Sequence, residues 1–329
     1  MAERLRWGIL STAQIGLNQF IPAVKVSELG QVAAIASRDA TRAGAAARRL
    51  DIPRSYGSYE ELLQDDQVDA VYIGLPNSMH RDWTVRCAQA GKHVLCEKPV
   101  AREAAVAQEM VGACKSAGVI AMEAFMYRHH PQQEQARALV VDGVIGEPRV
   151  VRASFCFHLG RPEGNIRVSK DLEGGALMDV GCYTVNVARY VFDAEPEEVT
   201  AFQRTAPQYG VDMTFAALLR FPGDRIACID SSFDVGSGGR YEVSGPQGSI
   251  TVERAFTPGD GMTTIRVAAG RNHRVIEIPG VNQYAREVDH FARSVAAGTL
   301  LPPAEDGIAN TRVIEALYRS VEEGRAVHL

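Results

Sequence analysis

One lysine is the residue whose type and position best suit chemistry in this sequence. Lys98 stands in Glu97-Lys98-Pro99, after an apolar run, 91–96, that is typical of a buried strand in a parallel sheet. Open α/β sheets bind ligands just beyond the carboxyl ends of their strands. Only five of the 35 basic residues are lysines, and a partly buried lysine, unlike an arginine, can release its proton near neutral pH. We therefore predict that Lys98 faces a cofactor and a substrate; a solvated pair of Glu97 and Lys98 on a turn is the alternative.

A turn near the N-terminus has the position of a dinucleotide-binding loop. A short strand, 6–10, runs into it, and a helical pattern continues to about residue 26, bent near Pro22. Glycines usually let the backbone of such a loop approach a pyrophosphate at the helix N-terminus. Here the three positions are Ser11, Ala13 and Gly16, so only the last glycine is present, and an ordinary strand-to-helix turn is the alternative. The predicted cofactor contacts are Ser11, Thr12, Ala13, Gln14 and Ile15, with the hydroxyls of Ser11 and Thr12 as hydrogen-bond donors.

The residues after the second strand, 31–36, bear on the choice of cofactor. NAD-binding folds usually place an acidic residue here to hold the ribose 2′-hydroxyl. This chain has Ser37 and Arg38, a hydroxyl and a guanidinium that suit a 2′-phosphate. Asp39 could serve the ribose of NAD or cap the next helix. We predict NADP as the cofactor, in preference to NAD.

The elements that must position these residues fall into two patterns. Strands and helices alternate up to about residue 124, which predicts right-handed βαβ crossovers and a doubly wound parallel sheet. From 149 to 278 short strands are separated by glycine-containing turns, which indicates an antiparallel sheet. One helix, from 175 to about 192, interrupts these strands, and two helices close the chain. We predict an α/β protein with a dinucleotide-binding domain, 1–124, and an α+β domain for substrate binding and oligomerisation, 125–329.

Composition excludes several classes of function. A chain of 329 residues with a net charge of -5 has no general basic footprint, which argues against a nucleic-acid partner. We find no secretory signal and no run of about 18 apolar residues, so a cytoplasmic protein without a membrane partner is expected. The six cysteines lack metal-ligand spacing. Adjacent His129 and His130 would point opposite ways on an extended chain, so no metal is expected.

Five blocks of sequence resemble the glucose-fructose oxidoreductase/inositol dehydrogenase (Gfo/Idh/MocA) family. They are 7–13, Leu75-Pro76-Asn77-Ser78 with His80, Glu97-Lys98-Pro99, 122–128 and 174–183. The blocks span essentially the whole chain and lie in the order of the family. Within it, the chain is most similar to the dihydrodiol dehydrogenase and NADP-dependent D-xylose dehydrogenase branch.

The resemblance implies a fold and a catalytic residue. It implies an N-terminal Rossmann domain, and a C-terminal domain whose open antiparallel sheet often packs against another subunit. It also implies that Lys98 is the catalytic lysine and that the Lys98–Pro99 bond is a candidate for the cis form. Many members of the family carry Asp-x-x-x-His on the substrate-domain helix. Here Asp179 is followed by Tyr183, the variant that points to the dihydrodiol/xylose branch.

Asp179 and Tyr183 are four residues apart and therefore share one face of a helix. Exchange between an alcohol and a carbonyl by hydride transfer needs a proton donor and acceptor at the substrate oxygen. Tyrosine ionises only near pH ~10, and a neighbouring Lys98 ammonium would favour the ionised form at working pH. We predict Tyr183 as general acid/base, Lys98 as its electrostatic activator or proton partner, and Asp179 as orienter of substrate or lysine. In the alternative, Asp179 caps a helix and Tyr183 is a half-buried core aromatic.

The remaining candidate residues complete two predicted pockets. Asn77 and His80 follow a strand end and could hydrogen-bond the nicotinamide ribose or the substrate. Arg128 could contact cofactor or substrate, or pair with an interdomain carboxylate. The cofactor set is completed by Leu75, Pro76 and Glu97, and the predicted sugar pocket is lined by Phe157, His158 and Arg161.

These predictions combine into an NADP-dependent oxidoreductase that acts on a sugar or a related polyhydroxylated cyclic substrate. It would be an aldose dehydrogenase or a keto-sugar reductase. One alternative is a non-catalytic NADP-sensing regulator on the same fold, and another passes hydride between two sugars with a tightly held cofactor. Because the closing helices suffice to cover only one face of the antiparallel sheet, we also expect a homodimer or higher homo-oligomer.

Overall fold

The computed structural model describes residues 4–300 and 302–329, and the chain forms two compact units. The first unit ends at Met126 and is rejoined by Asn282–Ile308, and the second comprises Tyr127–Val281 and Ala309–Leu329. We had predicted a single boundary that placed all of 125–329 in the second domain, whereas residues 282–308 belong to the first unit. The reason is that a helix in this segment buries Val288 and Phe291 in the core of the first unit.

The first unit is built on a parallel sheet of six strands in the order β3-β2-β1-β4-β5-β6, the Rossmann arrangement that the sequence predicted. The order reverses between β1 and β4, where ligands bind in open α/β sheets. The strands are β1 Leu5–Leu10, β2 Gly30–Ala36, β3 Arg54–Tyr56, β4 Ala70–Ile73, β5 His93–Glu97 and β6 Ala121–Ala124. The helices are α1 Ile21–Val26, α2 Ala40–Arg49, α3 Tyr59–Leu63, α4 His80–Gln89, α5 Ala104–Ser116 and α8 Gln283–Ala297.

Both faces of this sheet are buried, as its uninterrupted apolar strands predict. In β4, Val71 and Ile73 belong to one apolar cluster, and the alternate residue Tyr72 belongs to the cluster on the other face. The ring of Tyr72 stacks on Phe20 with centroids 3.8 Å apart. The strands are therefore held from both sides, which fixes the positions of their carboxyl ends.

The second unit is built on a nine-stranded sheet in the order β14-β13-β12-β11-β7-β10-β9-β8-β15. Neighbouring strands are antiparallel except β7 and β10, which are parallel. This mostly antiparallel sheet agrees with the prediction. The one parallel pair arises because 157–197 carry the chain away from β7, so no hairpin joins it to β10. The strands are β7 Val150–Cys156, β8 Glu198–Ala206, β9 Val211–Phe221, β10 Arg225–Ser232, β11 Gly238–Gly245, β12 Gly248–Val252, β13 Thr263–Ala269, β14 Asn272–Ile278 and β15 Val327–His328.

The two faces of the second sheet differ in burial. Along β9, Phe215, Ala217 and Leu219 are buried, whereas the alternate residues Ala216 and Leu218 are exposed. The helices of this unit are α6 Pro131–Val141 and α7 Cys182–Phe192, and α9 Glu305–Glu323 belongs to it from Ala309 onward. In the described part of the chain, no helix combines the length and the apolar character that crossing a membrane requires.

Candidate active site

The loop after β1 owes its shape to Ser11, which has a backbone φ of 83°. Its hydroxyl donates to the carbonyl oxygen of Gly74 over 3.1 Å and accepts from the backbone N–H of Ala13 over 3.1 Å. Serine thus takes the left-handed conformation that the first glycine of a dinucleotide loop usually supplies. We had predicted this hydroxyl as a donor to the cofactor; instead it holds the loop against the end of β4.

The helical segment that follows this loop begins with Gln14 and Ile15. Its next turn, Gly16–Phe20, is a π-turn, and α1 starts at Ile21. The first N–H groups of a helix have no partner within it and attract anions, which fits a pyrophosphate at this position. π-turns within helices are frequent at functional sites. Cofactor contact by this segment stays a prediction.

The residues after β2 fit a 2′-phosphate. Asp39 is the N-cap of α2, and its carboxylate accepts from the backbone N–H groups of Thr41 (2.8 Å) and Arg42 (3.2 Å). Of the two roles open to Asp39, the structure therefore shows that of the helix cap. Ser37 is buried, and its hydroxyl oxygen accepts from the backbone N–H of Asp39 over 3.3 Å; Arg38 is exposed beside it. A hydroxyl and a guanidinium are groups that suit an anion. The Arg42 side chain, in the first turn of α2, lies 3.5 Å from the Asp39 carboxylate.

Lys98 is partly buried, and the residues on either side of it are fixed by side chains. The Tyr72 hydroxyl donates to Glu97 Oε1 over 2.6 Å. The backbone N–H of Val100 donates to Glu123 Oε1 over 2.8 Å. Glu97 was predicted as a cofactor contact, but this oxygen is engaged with a buried tyrosine. The turn that carries Lys98 is thus held from two neighbouring strands.

His80 has a different place from the one predicted. It is fully buried at the start of α4, with Nδ1 3.0 Å from the carbonyl oxygen of Pro99 and Nε2 2.9 Å from that of Leu75. Both ring nitrogens therefore face backbone carbonyls, and the prediction that His80 hydrogen-bonds the nicotinamide ribose or the substrate is wrong. The Lys98–Pro99 bond is cis, as the resemblance implied. Pro76 and Asn77 are half-buried in the segment after β4.

In the second unit, Asp179 and Tyr183 lie on a helical segment whose start is anchored by Asp212. The segment is the π-turn Leu177–Gly181 followed by α7. Buried Asp212 accepts from the backbone N–H of Leu177 over 2.7 Å and from the Tyr318 hydroxyl over 2.9 Å. Gly175 is required beside it, because a Cβ there would lie 2.3 Å from the Asp212 carboxylate. The anchoring carboxylate is therefore Asp212, which leaves Asp179 for another role.

Asp179 forms an ion pair with Arg167, a residue that the sequence interpretation missed. Arg167 Nε donates to Asp179 Oδ2 over 2.7 Å. The negative charge of Asp179 raises the pKa of Arg167, and Tyr183 acts in the same direction to a smaller extent. Gly175 fixes the Arg167 backbone, since its N–H donates to the Arg167 carbonyl over 2.8 Å. Arg167 lies in the 3₁₀ turn Ile166–Val168, which is too short to carry a periodic signal, so spacing could not have revealed it.

The ring of Tyr183 is buried among aromatic side chains. Its centroid lies 5.3 Å from Phe155, 5.6 Å from Phe256 and 5.7 Å from Tyr127. This packing has the character of a core aromatic, but Arg167 supplies a positive charge that an ordinary core position lacks. The ring is therefore immobilised by its neighbours, and its role as acid/base stays a prediction.

Of the other residues predicted in the second unit, some lie beside the Arg167–Asp179 ion pair and some are exposed elsewhere. Phe157 lies under the Arg167 guanidinium, 5.8 Å from its carbon to the ring centroid, and so belongs with the Arg167–Asp179 pair. His158 and Arg161 are exposed in the segment after β7. The Arg128 guanidinium lies over the ring of Tyr190 at 4.8 Å. Within 4–300 and 302–329, no three His, Cys, Asp or Glu side chains gather in a group that could hold a metal.

The first unit has a Rossmann sheet with a lysine on a fixed turn, and the second has a tyrosine on the same helical segment as an ion-paired aspartate. Both features are typical of nicotinamide-dependent oxidoreductases, and the comparison with known proteins agrees with this class. Residues 5–125 match the model of the "Oxidoreductase family, NAD-binding Rossmann fold", and residues 133–251 match the "GFO/IDH/MocA C-terminal domain". The chain belongs to the Gfo/Idh/MocA family of oxidoreductases. The predictions of this family, of an enzyme and of a nicotinamide cofactor are confirmed.

Relatives cover the whole chain. A D-xylose 1-dehydrogenase (NADP(+)) of Haloferax volcanii is 42% identical over 328 residues, which are 99% of this chain and 100% of that protein. The aldose-aldose oxidoreductase of Caulobacter crescentus, crystallised with glycerol, has a TM-score of 0.92 and 33% identity, with coverage of 99% and 100%. KijD10, a 3-ketoreductase of Actinomadura kijaniata crystallised with NADP and TDP-benzene, has a TM-score of 0.92 and 31% identity, with coverage of 97% and 98%.

Proposed function

We propose that this protein is an NADP-dependent oxidoreductase of a sugar or a related cyclic polyol, an aldose dehydrogenase or a keto-sugar reductase. The observation that carries the proposal is the fixed turn around Lys98, held by Glu97 on one side and by Val100 on the other. A protein that only sensed the nucleotide would have no need to immobilise an ionisable lysine at a ligand-binding strand end. The xylose dehydrogenase and the 3-ketoreductase supply the substrate class.

Several residues of the first unit fit NADP. Arg38, with buried Ser37 beside it, would hold the 2′-phosphate, while Asp39 is committed to the cap of α2. The N-terminal turn at Gln14 and Ile15 would receive the pyrophosphate. When bound, NADP(H) supplies or accepts the hydride. The xylose dehydrogenase and KijD10 are both named with NADP.

The acid/base step falls to Tyr183 in this proposal. Its phenol would give a proton to the substrate oxygen in reduction and take one in oxidation. The Arg167 guanidinium favours the phenolate, and Asp179 holds that guanidinium in place over 2.7 Å. Lys98 would add a second positive charge, as an electrostatic activator or as the proton partner. Asp179 thus orients an arginine of its own domain, which refines its predicted role as orienter of substrate or lysine.

A substrate screen tests the proposed function. The purified protein is offered aldoses with NADP⁺ and keto-sugars with NADPH, and the products are identified. Turnover that consumes or forms NADPH is the expected result. Tight NADPH binding without turnover on any sugar would instead support the NADP-sensing regulator. The aldose-aldose oxidoreductase favours a third outcome, a cofactor that co-purifies and passes hydride between two sugars without added dinucleotide.

We also propose that the exposed face of the second sheet joins two copies of the chain. Phe202, Leu218 and Ile226 on β8, β9 and β10 are 75%, 54% and 42% exposed, an apolar surface of the kind that marks interaction sites. A hollow of about 640 Å³ lies on the same face, between side chains such as Arg152 and Asp230. A symmetric dimer would bury this face against its own copy.

The expected assembly is a dimer at micromolar concentration, measured by light scattering coupled to size exclusion. Phe202→Glu should shift the protein to monomer, because a carboxylate would have to be desolvated at the interface. Val141→Glu is the matched control: Val141 is also 75% exposed but lies at the end of α6, and it should leave the dimer intact. A monomeric wild type would contradict the proposal.

A further inference from the structure

We infer that His80 is a positioning residue that ties the segment after β4 to the turn carrying Lys98, and that its bond to Pro99 sets where Lys98 stands. The inference rests on the proposed function, in which Lys98 is catalytic. His80 is fully buried, and its Nδ1 lies 3.0 Å from the Pro99 carbonyl oxygen. Pro99 is the residue directly after Lys98, so any displacement of this carbonyl displaces the lysine.

Both nitrogens of the His80 ring face hydrogen-bond acceptors. Nε2 lies 2.9 Å from the carbonyl oxygen of Leu75, so one ring nitrogen faces each of two ligand-binding segments. A carbonyl oxygen accepts hydrogen bonds and never donates, so each contact needs a hydrogen on the ring nitrogen. A neutral imidazole carries only one. The two segments therefore compete for one donor unless the ring is protonated.

Burial favours the neutral form of His80. Removal from water lowers the pKa of the imidazole, and the positive charge of Lys98 acts in the same direction. The carbonyl oxygens of Leu75, Pro99 and Val100 oppose this by favouring the protonated form. A buried polar ring whose two nitrogens face backbone carbonyls offers a hydrogen bond that an apolar side chain in its place could not supply. The ring therefore lies between the two backbone segments and, as a neutral imidazole, donates to one of them at a time.

A pair of substitutions separates the two contacts of the ring. The amide nitrogen of asparagine can occupy the place of Nδ1, and that of glutamine the place of Nε2. His80→Asn should be able to donate only to the Pro99 carbonyl, and His80→Gln only to the Leu75 carbonyl. We expect His80→Gln to lower kcat by about 10- to 100-fold, since small misplacements of catalytic groups have effects of this size. His80→Asn should keep kcat within a few-fold of the wild type.

The control distinguishes positioning from a general loss of stability. His130 is also fully buried, in the second unit, and its Nδ1 accepts from the backbone N–H of Gln132 over 3.1 Å. His130→Gln should lower the melting temperature without a comparable change in kcat. Thermal unfolding, kcat, KM and NADPH affinity are measured for all three variants below their melting temperatures.

Two results would overturn the inference. One is an equal kcat in His80→Asn and His80→Gln; the other is a loss of kcat in His130→Gln as large as in His80→Gln. Failure of the proposed function is recognised separately. If Lys98→Met kept full turnover, Lys98 would not be catalytic, whatever His80 does. If Lys98→Met lost turnover and His80→Gln did not, only the inference about His80 would fail.

Discussion

Tyr183→Phe should lower kcat by about 10²–10⁴-fold, the usual effect of removing one acid/base group. The substitution keeps the ring, and with it the packing against Phe155, Phe256 and Tyr127, and removes only the hydroxyl. Because the proton is transferred in the transition state, kcat should fall more than KM rises. NADPH affinity should change only modestly. Steady-state turnover on the best substrate from the screen is the measurement, with cofactor affinity determined separately.

Lys98→Met belongs to the same experiment. It keeps the side-chain stem and removes the charge that favours the phenolate. Because Lys98 and Tyr183 would act as one unit, the double variant should be little worse than the poorer single variant. Near-normal kcat in Tyr183→Phe would show that the proton path runs through Lys98 and that the role given to Tyr183 is wrong. His80 could not carry the proton in that case, since both of its nitrogens face backbone carbonyls.

Tyr241→Phe is the matched control for the loss of a buried hydroxyl. Tyr241 is 1% exposed on β11, and its hydroxyl donates to Gln133 Oε1 over 2.9 Å. Removing this hydroxyl leaves a buried acceptor unsatisfied, at a stability cost of about 1–3 kcal/mol. It should leave kcat unchanged. A loss of turnover as large as that of Tyr183→Phe would mean that buried hydroxyls in this unit act through stability alone.

Apolar runs were enough to predict the first sheet. Val71, Tyr72 and Ile73 form an uninterrupted apolar strand, and such strands occur where both faces are covered by helices. The return of 282–308 to this unit was not predictable in the same way. Val288 and Phe291 give a helix an apolar side, but an apolar side does not say which of two cores it joins.

Local sequence also leaves side-chain partners open at the candidate site. Ser11 carries the positive φ of the loop, although the missing glycine suggested a weaker fingerprint. Residue type identified Asp179 and Tyr183, whereas their partner Arg167 lies twelve residues before Asp179 in a loop without periodicity. His80 follows a strand end, which indicates a ligand contact, yet its ring is turned into the protein. These outcomes depend on three-dimensional proximity, and spacing along a chain constrains that only within helices and strands.

Arg38→Ala should remove most of the preference for NADPH over NADH. One charge-assisted hydrogen bond is worth about 1.5–3 kcal/mol, which corresponds to a change of about 10- to 150-fold in the affinity ratio. The affinity for NADH should stay nearly constant, because NADH has no 2′-phosphate for the guanidinium to hold. Titration of each variant with NADPH and with NADH gives the ratio of the two affinities.

Arg49→Ala tests whether net charge is the cause, because it removes another exposed arginine, from the last turn of α2. This variant should keep the wild-type ratio. Equal affinities for NADPH and NADH in the wild type would contradict the assignment and return Asp39 to the role of ribose ligand. Asp39→Asn decides between these readings: asparagine still caps α2 but cannot act as a carboxylate for the ribose. If Asp39 serves only the cap, as its bonds to Thr41 and Arg42 indicate, Asp39→Asn should leave NADH binding as it was.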